Sequence, residues 1–533
     1  MKKHIVSTVI VLGVFVVGIW ILQGRGLFKA QPLSASEVEL LNPDWDLATN
    51  GNWSPWQTTA DGSKEWNPTA GFNAWIETIP EQERAWPIIA RVSLDHEELH
   101  THEWLSAKPD ENEDWETTSR LLMTSASQHA VDELVQAMRR PWLGIVDREG
   151  TDPVMHQLML DRGLEDIEWV EEPDLNPDPW VNITSYFADL RTVSSVLATA
   201  AYAALESDLD SERYMQILSA MFDGADLALT RTRLIDHLVY VAMYQNAIGV
   251  LDWGLVNHAE LFGEDNLAEL DRVLQEYGPR PLEVTDEILV LHDHFRRLVN
   301  TRGKLDIKRA SNDDWWIPDF TAPSHKPIEA LDPRIHRILL YQSRQFNMVA
   351  RKSSLPWDGE GIAFDDFREG FESVPKRMRD KVSESEFVIS YWERNLELQT
   401  KVRALRFAIA LERHQRRNGA YPDRLEDVEV DLINFDITDP FTGDPLLYAL
   451  SDDGPVVYST GADRDDDLMT LMRDRYLDPN YAQSRYPYIR GNSDGGISMK
   501  PHWISSEHAE GIEDQSQIDG DWVLFPEPDY SGD

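Results

Sequence analysis

The segment that most constrains the fold is residues 234–256, which reads LIDHLVYVAMYQNAIGVLDWGLV. It is apolar on nearly every side when it is drawn as a helix. A helix with one apolar stripe packs at a surface, whereas one that is apolar all round has to be enclosed by other elements. The segment therefore predicts a central buried helix with several other helices packed around it.

Helical patterning extends well beyond this segment. Between about residues 115 and 415 few stretches alternate as strands do, and apolar residues recur with the period of a helix. No fixed-period repeat is present, so a solenoid of the tetratricopeptide kind is not indicated. We predict a large α-helical domain at residues 79–394, with further helices expected at residues 185–206, 211–231, 266–277 and, leading out of the domain, 395–417.

The charge balance excludes several classes of partner. The chain has 533 residues, with 94 acidic and 50 basic side chains and a formal net charge of -44. Nucleic acids and anionic membrane surfaces bind basic faces, so neither is expected as a partner. Cysteine is absent, which excludes disulfides, zinc–thiolate sites and thiol catalysis. The acidic balance suits a soluble body or a cation-binding surface.

An uncharged apolar run at residues 5–22 predicts a membrane anchor. It is close to the shortest helix that spans a bilayer. Lys2 and Lys3 precede it, which favours a cytoplasmic tip at residues 1–4. A cleaved signal peptide is the competing interpretation, but no small-x-small pair follows closely behind the run. We expect a single-pass protein of the inner membrane, with most of the chain outside the cytoplasm.

A tryptophan-rich stretch follows at residues 23–78 and shows no sustained period. We interpret it as an irregular lead-in. Its aromatic side chains are expected to pack back onto the body, and a platform on which glycans stack is the alternative. The tryptophans concerned are Trp45, Trp53, Trp56, Trp66 and Trp75.

The last part of the chain, residues 395–533, changes character. A long helix runs into Gly419, and the turn Tyr421-Pro422 follows. The remaining pieces come in the order Asp439-Pro440-Phe441, Gly443, Pro445, the strand-like Leu447-Tyr448, and Tyr458-Ser459-Thr460-Gly461-Ala462-Asp463 before an acidic loop.

This order of residues resembles the C-terminal half of the major pseudopilins of type II secretion, and also the ends of some single-pass bacterial envelope proteins. The resemblance implies a small C-terminal α+β module. Pseudopilins start their apolar helix with Gly-Phe and a Glu five residues on, and this chain lacks that pattern, so polymerisation as a pilin is not expected. The predicted fold class is mainly α, with an N-terminal transmembrane helix, a large α-helical domain and the small C-terminal α+β module.

The acidic loop provides candidate calcium ligands. Oxygen ligands crowded in a turn suit Ca²⁺, and repulsion between the carboxylates favours a bound cation. In the major pseudopilins an acidic loop at this place binds Ca²⁺, so the resemblance implies the same here. A second acidic group precedes the strand-like Trp522–Phe525 and could fold back to complete the site. A solvated acidic loop is the competing interpretation, because the chain is rich in acidic residues throughout. The candidate ligands are Asp463, Asp465, Asp466, Asp467, Asp519 and Asp521.

The string His96-Glu97-Glu98-Leu99-His100 matches H-E-x-x-H. On a helix, His96 and His100 would share one face and hold Zn²⁺ while Glu97 polarises a water. The third histidine of the extended metalloprotease motif is missing, and adventitious metal binding or a solvated acidic helix face are the alternatives.

The pair His292 and His294 has a spacing that directs two side chains apart on a helix, and we expect both at the surface.

No P-loop, dinucleotide-binding or nucleophile-elbow motif is present in the sequence. We therefore predict an extracytoplasmic, membrane-anchored structural or interaction protein with protein partners in the bacterial envelope, and Ca²⁺ is the candidate cofactor. A membrane-tethered zinc hydrolase and a glycan-binding envelope protein are the alternatives.

Overall fold

The computed structural model of the chain describes the following residues: 34, 52–58, 62, 64–96, 99, 108–109, 114–146, 153–162, 185–230, 233–283, 288–289, 292–293, 296, 331, 336, 339–340, 343–344, 346–347, 350–351, 385–440, 443–451, 454–459, 489–491, 497–499 and 522–526.

Ten α-helices and seven short strands lie in these residues. The helices are α1 (Pro68–Thr78), α2 (Trp86–Asp95), α3 (Trp115–Leu122), α4 (Ser125–Met138), α5 (Pro153–Asp161), α6 (Ser185–Glu206), α7 (Ser211–Ala228), α8 (Leu234–His258), α9 (Glu264–Glu276) and α10 (Ser385–Asn418). The strands are β1 (Trp56–Thr58), β2 (Lys64–Trp66), β3 (Leu447–Ser451), β4 (Gly454–Ser459), β5 (Ile489–Gly491), β6 (Ile497–Met499) and β7 (Trp522–Phe525).

Helix α8 lies at the centre of the helical body and packs against α6, α7 and α10. Its side chains are buried around most of its circumference, and Leu238, Ala242 and Gly249 lie on a half-buried strip. The prediction of a central buried helix is confirmed. Burial on most sides explains why the segment is apolar on nearly every side.

The predicted fold class requires a correction. The described part of the chain is mainly helical with a small sheet, but none of its helices is long and apolar enough to cross a membrane. The most apolar long helix, α8, is enclosed by protein and carries the buried Asp236 and Asp252. The predicted anchor at residues 5–22 lies outside the described residues.

The tryptophan-rich lead-in is more regular than predicted. Strands β1 and β2 form an antiparallel hairpin in which Trp56 pairs with Trp66. Helix α1 then starts at Asn67, whose side chain accepts a hydrogen bond from the Ala70 N–H at 2.9 Å, with Pro68 as the first helical residue. An Asn cap followed by Pro is a strong helix start. The interpretation of residues 23–78 as irregular overlooked this signal.

The lead-in also packs onto the helical body. Trp66 is 0% exposed and belongs to the same hydrophobic core as α8. Trp56 meets Trp66 edge to face, with their ring centroids 5.0 Å apart. The hairpin is therefore part of the body.

The C-terminal module contains a three-stranded antiparallel sheet in the order β3-β4-β7. Strands β3 and β4 pair from Leu447 opposite Tyr458 to Ser451 opposite Gly454. Strand β7 pairs with the other side of β4, so that Trp522 lies opposite Ser459. Strands β5 and β6 form a separate hairpin.

Helix α10 connects the body to this sheet. It starts at Ser385, ten residues before the predicted start, and ends at Asn418. Gly419 follows with a positive φ of 80°, a left-handed conformation favourable to glycine. The predicted domain boundary between residues 394 and 395 therefore falls inside one helix. Phe407 of α10 and Val457 of β4 belong to the same hydrophobic core as α8.

Two glycines of α8 provide a matched test of this packing. A Cβ at Gly254 would lie 2.5 Å from the hydroxyl oxygen of the buried Tyr214, whereas one at Gly249 would have no heavy atom within 4 Å. Gly254→Ala should lower the free energy of unfolding by about 1–3 kcal/mol because of overpacking. Gly249→Ala should raise it by up to about 1 kcal/mol through helix propensity.

Urea unfolding of the two variants measures both changes. Equal effects of the two substitutions would show that α8 is not enclosed as described.

Candidate functional site: the junction of α10 with the C-terminal module

Helix α10 is tied to the helical body by arginines. Arg406 Nε donates to Asp271 Oδ1 of α9 at 2.6 Å in a largely buried pair. Arg413 Nε and Arg417 Nη2 both donate to Glu264 Oε1, at 3.0 Å and 2.9 Å. Partial burial alone would raise the pKa of Glu264, but the two guanidinium groups hold it below its usual value. These contacts fix α10 along the length of α9.

A second set of side chains on α10 holds the module. Arg403 Nη2 lies 3.1 Å from Asp436 Oδ2. Glu429 accepts from Asn418 Nδ2 at 2.8 Å and lies 2.7 Å from His414 Nδ1. The hydrogen bond from Asn418, together with a backbone N–H and His414, lowers the pKa of Glu429 to about 2. The loop after α10 is therefore folded back along the helix that precedes it.

The Tyr-Pro turn also contacts α10. The Tyr421 hydroxyl donates to the buried Glu412 carboxylate of α10. The Tyr448 hydroxyl of β3 donates to the Pro422 carbonyl at 2.7 Å. Burial raises the pKa of Glu412, and the hydrogen bond from Tyr421 opposes that rise. Tyr421 thus joins the turn to α10, and Pro422 joins it to β3.

The loop that begins with Asp439 is closed by its own backbone. The Asp439 N–H donates to the Asp444 carbonyl at 2.7 Å, and the Gly443 N–H donates to the Asp439 carbonyl at 2.9 Å. Gly443 has a positive φ of 77°, which a tight turn of this kind needs. The Asp439 carboxylate accepts a hydrogen bond from the Ser459 hydroxyl, and both side chains are buried. The loop is therefore anchored to the last residue of β4.

The predicted calcium ligands lie outside the described residues: Asp463, Asp465, Asp466, Asp467, Asp519 and Asp521. The structure does describe the strand ends next to them, since the chain leaves β4 at Ser459 and enters β7 at Trp522. These two residues are paired across the sheet. In the described part of the chain, no three His, Asp or Glu side chains are grouped as metal ligands would be.

The predicted zinc string is only partly described. Helix α2 ends at Asp95, and His96 follows it with a non-helical backbone, at φ -130° and ψ 53°. The zinc interpretation required one continuous helix through His96 and His100, and His96 is not in such a helix. Glu97 and His100 lie outside the described residues, so the metal site stays a prediction.

A buried cationic cluster was not predicted from the sequence. Arg296 is almost fully buried, and its guanidinium carbon lies 4.6 Å from the Trp66 ring centroid and 5.5 Å from that of Trp56. His292 is buried beside them, which corrects the expectation that it lies at the surface; His294 lies outside the described residues. Burial lowers the pKa of His292 to about 3, and Arg296 adds to the effect.

This cluster holds the β1–β2 hairpin against the body. A guanidinium group is attracted to the faces of indole rings, and the attraction is stronger where water is excluded. The Trp spacing alone gave no sign of the cation, because Arg296 lies about 230 residues further along the chain.

A second unpredicted group holds the segment after α9. Arg280 Nε donates to Asp226 Oδ1 at 3.2 Å, and the Arg280 N–H donates to the Tyr240 hydroxyl at 3.0 Å. The Glu283 N–H donates to His237 Nε2 at 3.2 Å, so His237 is neutral with its proton on Nδ1. Burial lowers the pKa of His237 to about 4, consistent with that state. Tyr240 and His237 therefore accept hydrogen bonds from the backbone of the segment after α9 and hold it against the body.

A third buried group lies where α6 and α8 begin. Arg233 Nε donates to Asp236 Oδ2 at 2.8 Å, and the Tyr186 hydroxyl donates to Asp236 Oδ1 at 2.8 Å. All three side chains are buried. The Arg-x-x-Asp spacing at the start of a helix is the only local sequence signal for this group, since Tyr186 comes from another helix.

Comparison with models of protein families, with curated proteins and with solved structures finds no match to this chain. The resemblance to the major pseudopilins therefore stays a prediction that depends on the residues quoted above.

The two tyrosines of the junction give a test of its electrostatics. Tyr421→Phe removes the donor to the Glu412 carboxylate, whereas Tyr448→Phe removes a donor to an uncharged carbonyl. The raised pKa of Glu412 means that its carboxyl is protonated at low pH and charged above the raised value. Stability contributed by Glu412 is present at low pH and falls as the pH rises through that value.

Tyr421→Phe should therefore cost about 1–3 kcal/mol at pH 8 and less at pH 4, because an unpaired buried charge is worse than an unpaired neutral group. Tyr448→Phe should cost about 1 kcal/mol at both pH values. Chemical unfolding at the two pH values measures the difference. A pH-independent cost for Tyr421→Phe would contradict the described pairing.

Proposed function

We propose that this protein is a structural or interaction protein whose helical body holds the C-terminal module in a fixed position as a recognition element. The observation that carries the proposal is the continuity of α10. One helix supplies side chains to the core of the body and to the core around the sheet, so the two share a single hydrophobic core. A module that moved independently would have a core of its own.

Arg417 adds to this support because it contacts both parts. Its Nη2 donates to Glu264 of α9, and its Nη1 donates to Asp431 of the module at 3.0 Å. Exposed ion pairs contribute little to stability one at a time. Here the pairs specify an orientation, since the same guanidinium reaches the two parts in different directions.

We further propose that the acidic loop after β4 binds Ca²⁺ together with the acidic group before β7. The support is the pairing of Ser459 with Trp522, because Asp463 follows the first by four residues and Asp521 directly precedes the second. Carboxylates brought to one end of a sheet from two chain segments suit Ca²⁺. The location in a bacterial envelope is proposed from the pseudopilin-like order of residues alone.

The proposed recognition role predicts contacts at the module in the cell. A photoreactive benzoylphenylalanine at Val430, which is 87% exposed on the module, should give a discrete cross-linked product in the organism that makes the protein. The same residue at Leu209, 61% exposed on the helical body, should give none and serves as the control. Gel analysis of irradiated cells reads out both. Products at neither position, or equally at both, would overturn the recognition role.

The proposed calcium site predicts a ligand-dependent melt of the full chain. Free Ca²⁺ at 100 times the dissociation constant should stabilise the protein by about 2.7 kcal/mol, with the shift reversed by chelator. Asp465→Ala should abolish most of the shift, because it removes a ligand oxygen. Asp423→Ala, which removes an exposed carboxylate elsewhere in the module, should leave it unchanged. An equal shift in both variants would show that the cation binds diffusely.

A further inference from the structure

Strand β3 forms one edge of the three-stranded sheet. In the order β3-β4-β7 it is paired on one side only among the described residues. Its pairing with β4 closes at Ser451 opposite Gly454, with two residues between them. In an antiparallel ladder alternate residues turn their N–H and C=O groups to opposite sides. The groups of Leu447, Ala449 and Ser451 therefore face β4.

The groups of the even-numbered residues face outward. The first position on this outer side is occupied, because the Leu446 N–H donates to the Ile437 carbonyl at 2.8 Å. Past Leu446 the described residues provide no backbone partner to Tyr448 and Leu450. Leu450 is also 44% exposed, so an apolar side chain accompanies the open backbone groups.

Within the described part of the module, β3 lacks the protections that its own sequence could supply. Natural edges are blunted by lysine, proline or a bulge. Residues 446–451 read LLYALS and contain neither lysine nor proline. The register shift in this sheet lies between β4 and β7, so it does not involve β3. An unprotected edge is a template for strand addition.

The surroundings of this edge are strongly acidic. Residues 420–460 contain ten Asp and Glu residues and one base, Arg424. Asp423 is close enough to Tyr448 that it adds to the effect of burial in raising the pKa of that side chain to about 12. Along the chain β3 is bounded by Asp444 on one side and by Asp452-Asp453 on the other.

We infer that the outer edge of β3 binds an extended, lysine- or arginine-rich segment of a partner protein by strand addition. The inference rests on the proposed function and names the class of partner. Backbone hydrogen bonds to Tyr448 and Leu450 supply the affinity, and the acidic surroundings select the charge of the incoming strand.

A second copy of this chain fits the edge poorly. Antiparallel pairing of two β3 strands would place Asp444 of one near Asp452-Asp453 of the other. Like charges placed opposite each other across strands are destabilising. The charge pattern therefore favours a basic partner over self-association.

The test uses the full chain and a fluorescein-labelled decapeptide of alternating lysine and valine, with binding followed by fluorescence anisotropy. A matched peptide carries N-methyl groups on alternate backbone nitrogens, which keeps its charge and removes its strand donors. The unmodified peptide should bind at least about ten times more tightly, a difference of 1.4 kcal/mol. Equal affinities, or no binding of either peptide, would overturn the inference and leave only general attraction to an acidic protein.

Variants then locate the site. Leu450→Lys should weaken binding of the unmodified peptide by about tenfold, and Leu450→Glu should strengthen it, because the added charges act beside the incoming strand. Leu209→Lys makes the same substitution at an exposed position of the helical body and should alter binding less than about twofold. Equal effects of Leu450→Lys and Leu209→Lys would overturn the location. If thermal melts show that the Leu450 variants do not fold, the comparison of the unmodified and N-methylated peptides on the unaltered chain remains the test of strand addition.

The peptide and cross-linking experiments separate the two proposals. A cross-linked product at Val430 without discrimination between the peptides would keep the recognition role and remove the edge of β3 as its site. Absence of the product together with peptide discrimination would keep the edge as a binding site and remove the cellular role proposed for the module.

Discussion

Burial of apolar surface on both sides of α10 is the constraint on which the rest of the structure depends. One side of this helix closes the helical body against α8 and α9, and the other covers the sheet. The loop between the helix and β3 is then held by polar contacts back to α10, such as Asn418 with Glu429. Those contacts are modest one by one, and they become specific because the apolar core has already fixed the helix.

Charged groups inside the body follow a common rule. Arg233, Arg296 and His237 are all buried, and the described contacts place each beside a carboxylate, an aromatic face or a backbone N–H. Burying such groups alone is costly, and the neighbours reduce that cost. Each of the three groups is therefore held by a specific neighbour in the core.

Periodicity located the main helices from sequence, because each has an apolar face that repeats over several turns. Helices α6 and α8 begin at the predicted residues, while α10 begins ten residues earlier than predicted, with the sequence SEFVISYWER in its first turns. These turns are rich in β-branched and aromatic residues, which have only moderate helix propensity. The β1–β2 hairpin was missed because its strands have three residues each, too few for a pattern of alternation.

The candidate site was predictable only in part. The Tyr-Pro turn and the Asp439 loop were visible as motifs, but their partners were not, since nothing in the sequence marks Glu412 as buried or pairs Ser459 with Asp439. His292 was misjudged for the same reason: its burial is set by Trp66 and Arg296, which come from separate segments. Contacts between residues that are far apart in the sequence leave no local pattern from which they could be predicted.

The pairing of Ser459 with Trp522 has a consequence for how this chain tolerates change. Sixty-two residues separate these neighbours along the chain, and they include the β5–β6 hairpin. The entropy of closing a loop grows only with the logarithm of its length, so a sixfold shorter connection would differ by about 1–2 kcal/mol. Outside its two acidic groups, the β4–β7 connection should therefore tolerate insertion, deletion or exchange of sequence, while β3, at the other edge of the sheet, keeps its pairing with β4.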